Sequence, residues 1–207
     1  VNDIKTMTGT LGHVAATSFF PSKNLGAYGD GGAIMTQDDE LAAKLRMIVN
    51  HGQSQRYCHD SIRVNSRLDS LQAAVLKVKL KYLDDYNAAR YAVAQKYSAA
   101  FSQTEHIIPP VESDWSTHVY HQYTVKLKNA QDRDPLNAYL AEKGVPSMIY
   151  YPVPNHLQKA YGYYGYKKGD MPLTEDLCAR VISFPVHTEM DAEQQDFIIE
   201  SVLSFWS

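Results

Sequence analysis

Ser18-Phe19-Phe20-Pro21-Ser22-Lys23-Asn24-Leu25-Gly26, running on to Gly29-Asp30-Gly31-Gly32, is the stretch that decides the fold. Residues 13–20, His-Val-Ala-Ala-Thr-Ser-Phe-Phe, read as a short buried strand, and Ala33-Ile-Met-Thr36 reads as another. Between them, Pro21 to Gly32 holds four of the chain's eleven glycines and cannot form a regular element. A lysine in a tight loop directly after a buried strand differs from a surface lysine, because desolvation favours a neutral amine able to attack a carbonyl. The Ser18 hydroxyl and the backbone N–H groups of the turn can receive a phosphate. The glycines let backbone approach a ligand closely. On local chemistry alone, the same residues also suit an ordinary loop lysine beside a β-turn.

Outward from this stretch the chain is mixed α and β. Asp38 caps a helix over 39–49, with Asp39 and Glu40 in its first turn, Arg46 late, and Leu41, Leu45 and Ile48 on one face. Residues 51–65 read as a polar loop. A helical pattern without Pro or Gly then runs from 67 to 102, with Leu68, Leu71, Val75 and Val78 as one stripe and Tyr86, Val93 and Tyr97 continuing it. So long a helix bends or bridges two units, which places a domain junction along it. Residues 118–127 alternate like a strand. Asp134 and Pro135 start a helix closed by Gly144, and Val145 to Tyr151 reads as a strand. A short helix near 155–161 and a Gly/Tyr loop follow. Thr174 caps a helix to about 181, Val181-Ile-Ser-Phe184 is a strand, and Asp191 with Gln194 forms a capping box for a last helix carrying Phe197, Val202 and Phe205.

Composition narrows the function class. The 207 residues suffice to bury a core, and 44% hydrophobic with 21% charged residues is ordinary globular usage. A net charge of -3 carries no basic field for nucleic acid or an anionic membrane, so neither is expected as a partner. No apolar run approaches the roughly 18 residues that cross a bilayer. The start, Val1-Asn-Asp-Ile-Lys-Thr-Met7, shows no leader pattern and no initiator Met. Cys58 and Cys178 read as two reduced thiols of a cytoplasmic protein, although one disulfide is compatible with the sequence.

Taken whole, the Lys23 stretch resembles the cofactor-lysine segment of the DegT/DnrJ-type sugar aminotransferases. These are pyridoxal 5'-phosphate (PLP) enzymes of the aspartate-aminotransferase fold, fold type I. Their signature is Ser-Phe, two or three residues, Lys, and a Gly-rich run ending near Asp-Gly-Gly. Further blocks look like the family's in order and spacing: His51-Gly52; Asn65-Ser-Arg67-Leu-Asp69-Ser-Leu-Gln72-Ala-Ala74; Tyr151-Pro-Val-Pro-Asn-His156-Leu-Gln158; Pro172-Leu-Thr-Glu175; and Ser183-Phe-Pro-Val-His187. They cover nearly the whole chain. Gln53-x-x-Arg56-Tyr57 and Asn65 to Asp69 look closest to members that aminate C3 of a nucleotide-linked keto sugar.

The resemblance implies roles by position. Lys23 matches the lysine that holds PLP as a Schiff base and shuttles the proton. Ser18 matches the hydroxyl on the cofactor phosphate. Asn65 matches an asparagine reaching the cofactor phosphate of the neighbouring subunit, which implies a homodimer with shared sites. Arg67, Tyr151 and His156 match positions lining the sugar-nucleotide pocket. Glutamate is the implied amino donor, and a keto sugar linked to a nucleotide the acceptor. Close C3-aminating relatives often carry His before Tyr-Pro, where this chain has Tyr150, so the sugar's identity stays open. Members of the fold run to about twice this length. The resemblance therefore assigns residues 1–66 to the end of a large PLP-binding domain, 67–102 to a connecting helix and 103–207 to a small α+β C-terminal domain. It predicts an α/β C-terminal portion of a larger transferase.

Other readings have less behind them. His118-x-x-His121 lacks a third ligand, and residues three apart on a strand face opposite ways, so no metal site is expected. A PLP sugar dehydratase of the same fold would typically carry His in place of Lys23. A non-catalytic assembly module would keep the dimer surface and bind neither PLP nor sugar. Tyr161, Tyr163, Tyr164 and Tyr166 read as a packing patch, and Trp115 and Trp206 as structural residues.

Overall fold

The computed structural model describes residues 6–207. Val1 to Lys5, on which part of the leader reading rests, lie outside the described residues. The chain divides into two compact units, residues 1–84 and 85–207, with the boundary inside the long helical run.

In the first unit, β1 (Ala15–Ser18) and β2 (Gly32–Met35) pair antiparallel, Ala15 opposite Met35 and Ser18 opposite Gly32. Asp38 caps α1 (Asp39–Val49) through its carboxylate, which accepts from Leu41 N at 2.9 Å. The segment expected to be a polar loop contains a small hairpin, β3 (Gln53–Gln55) with β4 (Cys58–His59). Gly52 explains why the chain can turn there. Its φ is +70°, and a Cβ would sit 1.9 Å from the Ser61 carbonyl oxygen, so no L side chain fits.

The long helix starts at Ser70 rather than at residue 67. Helix α2 (Ser70–Lys79) passes through a single 3₁₀ turn (Leu80–Tyr82) into α3 (Leu83–Phe101). The expected apolar stripe is not the inward one on α2. Leu71 is 80% exposed and Val78 59%, whereas Leu76 is buried and Gln72 and Lys79 are half-buried. The inward face is turned by one residue from the hydrophobic pattern.

The second unit holds the core. A three-stranded antiparallel sheet runs in the order β5 (Ile107–Ile108), β6 (Tyr123–Leu127), β7 (Val181–Phe184). Along β6, Tyr123, Val125 and Leu127 are buried while Thr124 and Lys126 are half-buried, the period of two of a pleated strand. Against the sheet pack Val93, Tyr97 and Phe101 of α3, Leu136 and Leu140 of α4 (Arg133–Glu142), and Ile198 and Val202 of α6 (Ala192–Leu203). Burying each large side chain of this kind stabilises by roughly 1.5–3 kcal/mol before chain entropy is counted. Among the described residues, the first unit has no comparable cluster. Its buried apolar residues among those described are Ala27 and Leu76.

Polar side chains tie the second unit's loops to its helices. Arg90 donates through one guanidinium nitrogen to the carbonyls of Tyr120, His121 and Val186, and burial lowers its pKa from the ordinary arginine value. The Tyr97 hydroxyl donates to the Pro185 carbonyl at 3.0 Å. Glu112 accepts from the hydroxyls of Tyr91 and Tyr120 and from the Gln95 amide.

Several expected boundaries move. The strand expected over 118–127 begins at Tyr123, because Tyr120 takes φ +42° and turns the chain, its N–H donating to His118 Nδ1. The strand expected over 145–151 reduces to one bridge between Met148 and Ser183. Helix α4 begins two residues before Pro135, and Asp134 pairs with Arg133 in its first turn instead of capping it. Helix α5 (Pro172–Arg180) begins at the proline, before Thr174. The expected 155–161 helix is two 3₁₀ segments, Asn155–Leu157 and Lys159–Tyr164. The tyrosines of 161–166 are exposed rather than packed, and Trp115 is 83% exposed. Trp206 does pack, stacking on His106 at 4.8 Å. The Asp191–Gln194 capping box forms as expected, as do the limits of β7. Neither cysteine is in a disulfide. Among the described residues, no helix is long and apolar enough to cross a membrane.

Candidate active site

Lys23 sits in a loop that closes on itself between β1 and β2. Phe19 N donates to Gly31 O and Ala27 N to Phe19 O, both at 2.8 Å, which pins the two ends of the loop together. Within it, Lys23 N donates to Phe20 O at 2.9 Å, forming a tight turn over Pro21-Ser22. Gly26 lies against the start of that turn. A Cβ there would come 2.3 Å from the Pro21 carbonyl oxygen, so the close approach requires glycine. Lys23 is half-buried, and Gly26 and Ala27 are buried. The Ser18 hydroxyl oxygen accepts from Phe20 N at 3.2 Å, which leaves its hydrogen for an external acceptor such as a phosphate oxygen.

A second set of expected residues gathers just before α2. Asn50 and Asn65 form a β-bridge, and Ser66 N donates to Val49 O at 2.8 Å, fastening this segment to the end of α1. Arg67 Nε donates to Asn65 Oδ1 at 3.0 Å, so these two side chains act as one polar cluster. Arg67 also lines a cavity of about 850 Å³ beside the β1–β2 pair, together with Asp30, Gly31, Arg46, Ser66 and Asp69. Ser18, Lys23 and Asn65 do not line it.

Tyr151 and His156 belong to the second unit. Tyr151 is 68% exposed, its ring 5.5 Å from that of Tyr150. His156 is buried, with Nε2 3.1 Å from Glu175 Oε1. That carboxylate also accepts from Gly169 N at 2.8 Å and from Met171 N at 3.4 Å. The Gly169 N–H is the main reason the Glu175 carboxyl lies below its ordinary value, with His156 adding to it. His156 therefore ties its 3₁₀ turn to the start of α5.

Three further residues hold these segments in place: Gln72, Lys79 and Glu175. Gln72 and Glu175 lie inside blocks quoted above, but the sequence pattern says nothing of what their side chains touch. Gln72 Oε1 accepts from Tyr28 N at 2.8 Å, and Lys79 Nζ donates to Gly26 O at 2.6 Å.

The donor set suits a phosphorylated aldehyde. Lys23 supplies an amine in a fixed turn, Ser18 a hydroxyl hydrogen five residues earlier at the end of β1, and Asn65 and Arg67 an amide and a guanidinium. Among the described residues, no group of three or more His, Cys, Asp or Glu could hold an ion.

Comparison with known proteins places the whole chain among relatives of one kind. The chain is 44% identical over 200 residues to a "Pleiotropic regulatory protein" of Geobacillus stearothermophilus, covering 96% of this chain and 53% of that protein. It is also 44% identical over 181 residues to a UDP-2-acetamido-2-deoxy-3-oxo-D-glucuronate aminotransferase of Pseudomonas aeruginosa, covering 87% of this chain and 48% of that enzyme. Among solved structures, NtdA of Bacillus subtilis with bound cofactor PMP superposes with a TM-score of 0.86 at 29% identity, covering 96% of this chain and 47% of that one. The chain thus spans about half the length of the curated relatives it matches. The family profile of the DegT/DnrJ/EryC1/StrS aminotransferases matches residues 3–203, and to that family the chain belongs.

Proposed function

We propose that the polypeptide containing this chain is a PLP-dependent aminotransferase that moves an amino group from glutamate to a keto sugar linked to a nucleotide. The single observation carrying this reading is Lys23, held half-buried in a glycine-closed turn directly after β1, within a family match that spans the chain. PLP, when bound, supplies the electron sink that makes a proton labile on the carbon bearing nitrogen. The remaining work falls to side chains. Lys23 Nζ would hold the cofactor by its aldehyde carbon, with water as the leaving group, and once displaced by the donor's amine would take and return that proton as general base and acid. The Ser18 hydroxyl would donate to the cofactor phosphate. Asn65, oriented by Arg67, reaches the phosphate of a neighbouring subunit in a homodimer. Arg67 and Tyr151 would contact the sugar nucleotide, and the buried His156, held by Glu175, would fix the 3₁₀ turn that follows Tyr151.

In this reading residues 1–66 complete a large cofactor domain, 67–102 connect, and 103–207 form the small domain of a cytoplasmic enzyme. The 3-oxo sugar in the name of the Pseudomonas relative favours amination at C3. Incubation of the polypeptide with PLP, glutamate and a panel of nucleotide-linked 3-keto and 4-keto sugars tests the reading. Formation of 2-oxoglutarate with a 3-keto sugar, abolished by Lys23→Ala, is the expected result. Loss of water from the sugar without nitrogen transfer would replace it with the dehydratase reading.

A further inference from the structure

Helix α2 touches the Lys23 loop along one face. Gln72 and Lys79 stand seven residues apart, two turns of the same helix, so their side chains point the same way about 10 Å apart along the axis. Gln72 accepts the Tyr28 N–H, and its amide nitrogen fills the space beside Gly29, where a Cβ would sit 2.9 Å away. Lys79 donates to the Gly26 carbonyl. Leu68, just ahead of α2, occupies the space a Cβ would need at Gly31, 2.8 Å away. Between the two polar contacts lies Leu76, the buried apolar residue of α2. The loop is thus held on both sides of Ala27 by side chains seated on a rigid helix.

This seating explains why the inward face of α2 departs from its hydrophobic stripe. Gly26 and Ala27 are buried, and their backbone groups need partners. Ala27 N is satisfied inside the loop by Phe19 O, whereas the Gly26 carbonyl and the Tyr28 N–H are satisfied from α2. An apolar side chain at either position would leave a backbone group of the loop without its partner.

We propose that Gln72 and Lys79 are positioning residues for Lys23. They hold the 19–31 loop in one conformation, and the lysine amine is thereby presented at a fixed place before any cofactor arrives. The role toward PLP rests on the reading of Lys23 given above, but the clamp itself does not.

Hydrogen exchange measured by mass spectrometry on the polypeptide containing this chain, without cofactor, tests the clamp. Gln72→Leu and Lys79→Met are expected to speed exchange in the peptide covering 19–32 by about tenfold, the usual effect of losing one such bond. Lys79→Arg and Gln72→Glu, which keep a donor and an acceptor, are expected to restore it. Peptides from α1 and β7 should not change. Unchanged exchange in 19–32, or equal acceleration through α1 and α2, overturns the clamp. The rate at which added PLP becomes attached to Lys23 tests positioning. It should fall about tenfold in the Leu and Met variants and recover in the Glu and Arg variants. Faster exchange with an unchanged attachment rate would overturn the positioning role. A parent polypeptide that never attaches PLP would refute the aminotransferase reading and leave the clamp to be decided by exchange.

Discussion

Replacing Phe101 by Ala should unfold the second unit more readily than any single change on its surface. Phe101 is fully buried, and its ring centre lies 5.3 Å from that of Phe184, 5.6 Å from Tyr97 and 6.3 Å from Tyr123. Truncating a buried Phe costs about 3–5 kcal/mol, since the transfer energy is lost and a cavity is left. Aromatic pairs at these separations contribute roughly 0.5–1.5 kcal/mol each beyond burial, so the upper half of that range applies. Phe197 is the control. It looked equally apolar in the α6 pattern but is 49% exposed, and Ala is the better helix former by about 0.5 kcal/mol, so Phe197→Ala should cost about 1 kcal/mol or less. Urea unfolding followed by far-ultraviolet circular dichroism and by Trp206 fluorescence reads both. With a slope of about 2 kcal/mol per molar, Phe101→Ala lowers the midpoint by about 2 M and Phe197→Ala by at most about 0.5 M. Equal shifts, or a Phe101→Ala cost below about 1 kcal/mol, would refute the assignment of the core to α3, β6 and β7.

Residues 85–207 prepared alone should fold cooperatively and residues 1–84 alone should not, because every member of the core cluster lies in the second unit; a cooperative urea transition in the 1–84 piece would contradict this. Asp191→Ala should destabilise by about 1 kcal/mol, since the carboxylate accepts from Gln194 N at 2.8 Å in the capping box, and thermal melting would detect an absent effect. Glu175 titrates below its ordinary value of 4.5 in the folded chain, so its stabilising contribution is complete above that value and fades as pH falls through the folded one. Glu175→Gln should therefore lose less stability than the parent as pH falls below the ordinary carboxylate value of 4.5, and parallel acid limbs in urea titrations would contradict this.

What could be read in the sequence was local. The Asp38 cap, the Asp191–Gln194 box and the limits of β7 depend on residues within a turn of one another, and they appear where expected. The glycine-rich loop around Lys23 was legible because Gly26 is required by a contact only five residues away. Distant contacts defeated the pattern. Gln72 and Lys79 face inward because backbone groups at Tyr28 and Gly26 need partners, and hydrophobicity carries no trace of that need. His156 is buried and meets Glu175, nineteen positions later, a contact that no local pattern announces. The strand expected at 145–151 had the right composition but meets the sheet at one point, Met148 against Ser183. Trp115 and the tyrosines of 161–166 show that aromatic content alone does not predict burial.

The central claim is that Lys23 is the cofactor lysine. Loading the protein with PLP, reducing with borohydride and mapping the peptides tests it most directly. The account predicts a pyridoxyl group on Lys23 that saturates at one per chain and disappears in Lys23→Ala. Labelling spread over surface lysines, or centred on another lysine and unaffected by Lys23→Ala, would contradict it.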